Sequence, residues 1–155
     1  MKQNIIKFFL SITTLLCILL FSSCGLLDWS YKLSNGYEIW RINSNDIVLE
    51  KVSDESYEIA LGRYILEFCY NESFVGLKRL SIDDDIPYAS VHIDEMDQSN
   101  PDYYLVDTEN DLILEPMSSD EYYIQIENSG IDNMSDWIKT YPAPKGAEFF
   151  CIRSG

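Results

Sequence analysis

The sequence predicts an α+β domain, an antiparallel β-meander sheet packed by one or two C-terminal helices. Three observations lead there. Short runs with apolar residues at every second position recur between turns rich in Asn, Asp and Gly. Consecutive runs lie close enough to pair as hairpins, and three or more hairpins in succession form a meander. From Met117 onward the signals change, with Ser118 and Glu121 spaced as a capping box and Gly130 placed as a C-terminal cap.

Taken in order, the chain opens on a targeting pattern. Lys2 and Lys7 give a basic start, Phe8 to Leu10 and Leu15 to Phe21 an apolar core, and Ser22-Ser23 a small-residue end. A membrane-spanning helix needs about 20 apolar residues. Here Ser11, Thr13 and Thr14 interrupt the run and Ser22 ends it, so a secretory signal is the expectation. Ser22-Ser23-Cys24-Gly25 resembles the cleavage and attachment site of bacterial lipoproteins, with Phe21 standing where those signals prefer an aliphatic residue. The resemblance implies that residues 1–23 are removed and that the Cys24 sulfur carries a diacylglyceryl group. The new amino group would often be acylated as well, by palmitate or a similar chain. Two or three acyl chains anchor firmly where one holds only marginally. A soluble secreted protein cut near Cys24 is the alternative. Gly25 in place of Asp implies, by the same resemblance, the outer membrane rather than the inner.

Residues 24–29 then form a short tether and residues 30–155 a single globular domain, placed close to the membrane. Trp29, Tyr31 and Leu33 alternate, and Asn35-Gly36 leads into Tyr37, Ile39 and Trp40-Arg41-Ile42. Asn-Gly between alternating apolar residues is a strong hairpin signal. Asn43 to Asp46 is a polar turn into a third strand over Ile47 to Val52. Tyr57, Ile59 and Leu61 suit an edge strand. Tyr64 to Tyr70 and Phe74 to Leu80 flank Asn71-Glu72-Ser73 as a further hairpin. Tyr64, Leu66, Phe68 and Tyr70 are expected on its core face, and Gly76 at a bulge. Tyr88 to Ile93 suits a strand carrying His92, and Tyr103 to Val106 pairs with Leu112 to Leu114 across a turn over Asp107 to Asp111.

The helix is expected after Ser118 on the face Tyr122, Tyr123, Ile126; a strand through Tyr122, Ile124 and Ile126 is the competing pattern. A second short helix is expected from Ser135 to Lys139, ended by Tyr141-Pro142. Glu148 to Ile152 is the expected last strand. Were it to lie beside Tyr64 to Tyr70, Cys151 would meet Cys69. With Cys17 removed and Cys24 lipidated, Cys69 and Cys151 are the remaining thiols. Outside the cytoplasm they can form a disulfide, and otherwise they are two buried thiols.

Composition narrows the function. The 11 basic residues fall to nine without Lys2 and Lys7, against 26 acidic ones. A chain this acidic repels phosphate backbones, so nucleic acid is excluded as a partner, and a cationic protein or peptide is the partner its field favours. About 130 residues suffice for one core without staples. His92 is the single histidine, so a two-histidine metal site is impossible. No nucleophile elbow, phosphate loop or close cysteine pair is present. No catalytic residue, metal or cofactor is therefore assigned. Two other readings stay open. One is a carboxylate-based hydrolase of envelope polymers, because the chain is rich in acids. The other is a calcium-stabilised binding module through Asp94, Asp97 and Asp102, although this loop lacks the EF-hand spacing and its glycine. Asp83-Asp84-Asp85 reads as a solvated loop.

Tyr31 to Arg41, Gly76-Leu77-Lys78-Arg79 and Tyr104-Leu105-Val106-Asp107-Thr108 are similar to a family of small uncharacterised lipoproteins of Gram-negative bacteria. That resemblance implies location and size, and no site residues. The expectation is a lipid-anchored cell-envelope protein whose domain binds a partner without catalysis.

Overall fold

The structure is a computed structural model, described here for residues 28–43, 46–53, 56–82 and 96–150. Cys24, His92, Asp83 to Asp85, Asp94 and Cys151 lie outside these residues, as does the expected strand from Tyr88 to Ile93.

Among the described residues, ten strands and one helix follow in the order β1 (Trp29–Lys32), β2 (Tyr37–Arg41), β3 (Ile47–Val52), β4 (Tyr57–Leu61), β5 (Ile65–Tyr70), β6 (Phe74–Arg79), β7 (Asp102–Asp107), β8 (Leu112–Ile113), α1 (Ser119–Ser129), β9 (Ile138–Lys139) and β10 (Glu148–Phe149). The strands make two antiparallel sheets of five, ordered β10-β1-β2-β3-β4 and β8-β7-β6-β5-β9. This corrects the expected α+β architecture of one meander packed by helices. The domain is mostly β, and its principal core lies between two sheets. Trp29, Tyr37, Ile39, Ile47 and Leu49 of the first sheet join Ile65, Phe68, Val75, Leu77, Tyr104 and Val106 of the second in one buried cluster. Each large apolar side chain withdrawn from water contributes about 1.5–3 kcal/mol, so this cluster dominates the cohesion of the fold.

Turn chemistry sets the register of both meanders. Asn35 and Gly36 turn β1 into β2 with φ of 57° and 79°. A Cβ on Gly36 would also meet the Val52 carbonyl oxygen at 2.9 Å. Asn71 closes the β5–β6 turn by accepting from the Ser73 and Phe74 amides at 2.9 and 2.7 Å. Asp107 closes the β7–β8 turn in the same way through Glu109 and Asn110. These are the self-bonding Asx turns that such residues favour.

Between the sheets, Tyr31 and Tyr70 hydroxyls meet at 2.9 Å and the Tyr31 ring lies 5.1 Å from Phe68. Asn35 donates across to Thr108 Oγ1 at 2.8 Å and to the Glu72 carbonyl at 3.2 Å. Tyr37 donates to Asp111, which also pairs with Lys51.

Two expected C-terminal elements take other forms. The segment from Ser135 to Lys139 is extended rather than helical and carries β9. Ser135 N–H donates to the Tyr70 carbonyl at 2.8 Å, and Thr140 N–H donates to the Leu66 carbonyl at 3.0 Å. A five-residue helix does not repay its own nucleation, whereas an extended segment satisfies the open edge of β5. The last strand, β10, pairs with β1 in the register Trp29↔Phe149, so it runs along the first sheet and not beside β5. The core face of β5 differs too. A register shift between Ile65 and Glu67 turns Ile65, Phe68 and Tyr70 inward, and leaves Tyr64 and Leu66 to a satellite cluster with Leu80, Ile82 and Met96.

Helix α1 forms where its signals place it. Ser118 Oγ accepts from the Glu121 amide, Glu121 accepts from the Ser118 amide at 2.8 Å, and Gly130 closes the other end at φ 63°. Its single buried side chain, Tyr122, covers the outer face of the second sheet.

Candidate functional site

Alternation along β2 places Tyr37, Ile39 and Arg41 on the same face, toward the other sheet. The first two are core residues, and the third continues the apolar stripe with a guanidinium. Arg41 pairs in register with Trp29 on one side and Ile47 on the other, so the backbone fixes it in this position. It is only 5% exposed. Its Nε has no hydrogen-bond partner, and among the described residues Arg41 makes no ion pair. The other described arginines differ. Arg79 donates to the Arg63 carbonyl and to the Tyr104 hydroxyl, and Arg63 pairs with Asp46 at 3.0 Å.

Arg41 lines a cavity of about 580 Å³ at the end of the two sheets where β2 stops and β3 and β5 begin. Ile47, Ile65, Leu66 and Pro101 give it apolar walls, and Tyr141 brings an aromatic ring to 5.5 Å from the Arg41 Cζ. Glu67, Lys78 and Lys139 also line it. Lys78 is already engaged, with Glu67 at 2.6 Å and its ammonium 4.2 Å over the Trp137 ring. Lys139 is exposed. A volume of this size falls in the range of small-molecule sites, roughly 300–1,000 Å³.

Cys24 and Cys151 lie outside the described residues. Cys69 is buried on the outer face of the second sheet, where its sulfur sits 3.5 Å from the Tyr122 hydroxyl. Burial pushes its thiol above the ordinary range, which keeps it protonated and a weak nucleophile. Burial likewise pushes Tyr122 upward. Tyr31 rises to about 12 chiefly through its bond to Tyr70, and Tyr37 to about 12 through burial and then Asp111. Such hydroxyls stay neutral and act as structural ties.

Asp97 accepts from the Ser99 amide at 2.9 Å, and the bonds from Ser99 hold its carboxyl below the usual value. Asp102 stands at the start of β7. Among the described residues no three His, Cys, Asp or Glu side chains converge on a point that could hold a metal ion. Among the described residues that line the cavity Glu67 is the one carboxylate, and it is tied to Lys78.

Arg41 escaped attention in the sequence because it sits inside the run Trp40-Arg41-Ile42. The legible signal was its parity with Tyr37 and Ile39, a charge at a core position of a strand.

The fold and the cavity define a two-sheet β domain with a ligand-sized recess between the sheets. Residues 34–139 match the model of a family described as a protein of unknown function (DUF3997), and the chain belongs to that family. No curated protein matches the chain, and no solved structure does. Among the described residues no helix is long and apolar enough to cross a membrane.

Proposed function

We propose that the protein is a lipid-anchored binding protein of the bacterial cell envelope, held at the membrane through Cys24 and acting without catalysis. The observation that carries the binding half is the cavity at Arg41, whose described lining offers a guanidinium, aromatic rings and apolar walls. That is recognition chemistry, and its carboxylate is already paired. The anchoring half is supported by the signal pattern ending in Ser22-Ser23-Cys24, and by β1 starting at Trp29, a few residues further on. The excess of 26 acidic over 11 basic residues adds a preference for a cationic protein or peptide at the surface.

The test is expression of the full chain in a Gram-negative host fed labelled palmitate. The wild type should take up label, lose residues 1–23 and enter the detergent phase, and a cationic partner should co-purify in a salt-sensitive way. Cys24→Ala should take up no label and keep its signal. Label on the Cys24→Ala chain would overturn the anchor, and co-purification of nothing from low to moderate salt would remove the cationic partner.

A further inference from the structure

We propose that the cavity at Arg41 binds a small organic monocarboxylate, with the guanidinium clasping the carboxylate and the apolar walls holding the carbon body. This deepens the binding reading and is independent of the anchor.

The case begins with the cost of the residue. A guanidinium taken out of water without a counter-ion gives up its solvation uncompensated, and an apolar side chain of similar size would normally serve a strand interior better. Here the charge sits on the core face of β2, 5% exposed, and no described carboxylate neutralises it. An anionic ligand would supply the missing charge.

Geometry gives the form of the anion. The two terminal nitrogens of a guanidinium present two parallel donors that match the two oxygens of a carboxylate. Nε of Arg41 is itself closed off without a partner, so the donors that Arg41 turns to the cavity are its terminal nitrogens. The Tyr141 ring lies beside the guanidinium and favours one orientation of its plane.

The surroundings limit the total charge. Lys78 is matched by Glu67, and Lys139 sits exposed. Among the described lining residues one unmatched buried cation, Arg41, therefore faces the cavity, which suits one carboxylate better than a polyanion. Ile47, Ile65, Leu66 and Pro101 then suit a body of carbon rather than a hydrated ion.

The experiment is thermal unfolding and calorimetric titration of the full-length chain in detergent. The probes are monocarboxylates from acetate to benzoate, with benzamide and inorganic phosphate as controls. A larger monocarboxylate such as benzoate should raise the melting temperature in a concentration-dependent way, while benzamide and phosphate should not. Arg41→Met should melt no lower than the wild type when free, and should lose the ligand shift. Arg41→Lys, which keeps charge and loses the fork, should bind about ten- to a hundredfold more weakly. Cys24→Ala should keep the shift, so failure of the lipid anchor is told apart from failure here. Any one of three results overturns the proposal: no shift with any monocarboxylate, equal shifts with benzoate and benzamide, or a free Arg41→Met chain that melts well below the wild type. A shift with phosphate alone would replace the carboxylate assignment.

Discussion

Gly76 shows how a single missing side chain shapes this domain. On β6 it lies directly under Tyr122, and a Cβ there would stand 2.0 Å from the Tyr122 hydroxyl and 2.7 Å from the Cys69 sulfur. The glycine is what lets α1 settle on the second sheet. A bulge was the natural expectation for a glycine inside a strand, yet the register shift falls on Ile65 and Glu67 of the neighbouring strand. Sequence alone could not tell these apart, because the partner that needs the space is 46 positions away in the chain. Gly76→Ala should cost about 1–3 kcal/mol of overpacking. Adding Tyr122→Phe removes the clashing oxygen, so the double variant should be less destabilised in urea melts than the sum of the two single changes. Strict additivity would mean that the two residues do not meet. Arg41 carries the parallel lesson, since its position was readable from parity while its lack of a partner was not.

At the scale of elements, local signals were read well and distant pairing was not. The capping box, the αL glycine at Gly130 and the Asx turns at Asn71 and Asp107 each depend on residues within a few positions, and each forms. The segments that became β9 and β10 are two residues long, and a helix from Ser135 was the local guess. Their conformation is imposed by the edges they complete. The helix also gives a pH-dependent test. Bonds from the Ser118 backbone amide and then its hydroxyl hold the Glu121 carboxyl below its usual value. Stability from these bonds is present at neutral pH, and is lost as pH falls through the folded-state value. Ser118→Ala should therefore cost about 1 kcal/mol near neutrality. The gap in melting temperature between variant and wild type should narrow in acid. A gap that ignores pH would disconnect Glu121 from the cap.

For the whole molecule, the number of sheets was the feature hidden from the sequence. The strand runs alternate in a way that fits one half-buried sheet as well as two sheets facing each other, because either buries one face of each strand. The two sheets become distinguishable only through contacts such as Tyr31 with Tyr70 and Asn35 with Thr108, which join positions 39 and 73 residues apart in the chain. The turn at Asn35 has a consequence for how the protein ages. Asparagine followed by glycine is prone to spontaneous deamidation, in which the Gly36 nitrogen attacks the Asn35 side-chain carbonyl, ammonia leaves to give a succinimide ring, and water opens that ring to aspartate or isoaspartate. In the fold, the Asn35 amide is held by Thr108 and the Glu72 carbonyl. Attack requires those bonds to break, so the native fold protects Asn35 from this reaction. Isoaspartate at position 35, followed by peptide mapping at mildly alkaline pH, should accumulate faster in denaturing urea than in the folded chain; equal rates would show that the contacts give no protection. Once formed, the acid would lack the amide donor and add a negative charge where the first sheet grips the second, so chemical age would be written into the seam between the sheets.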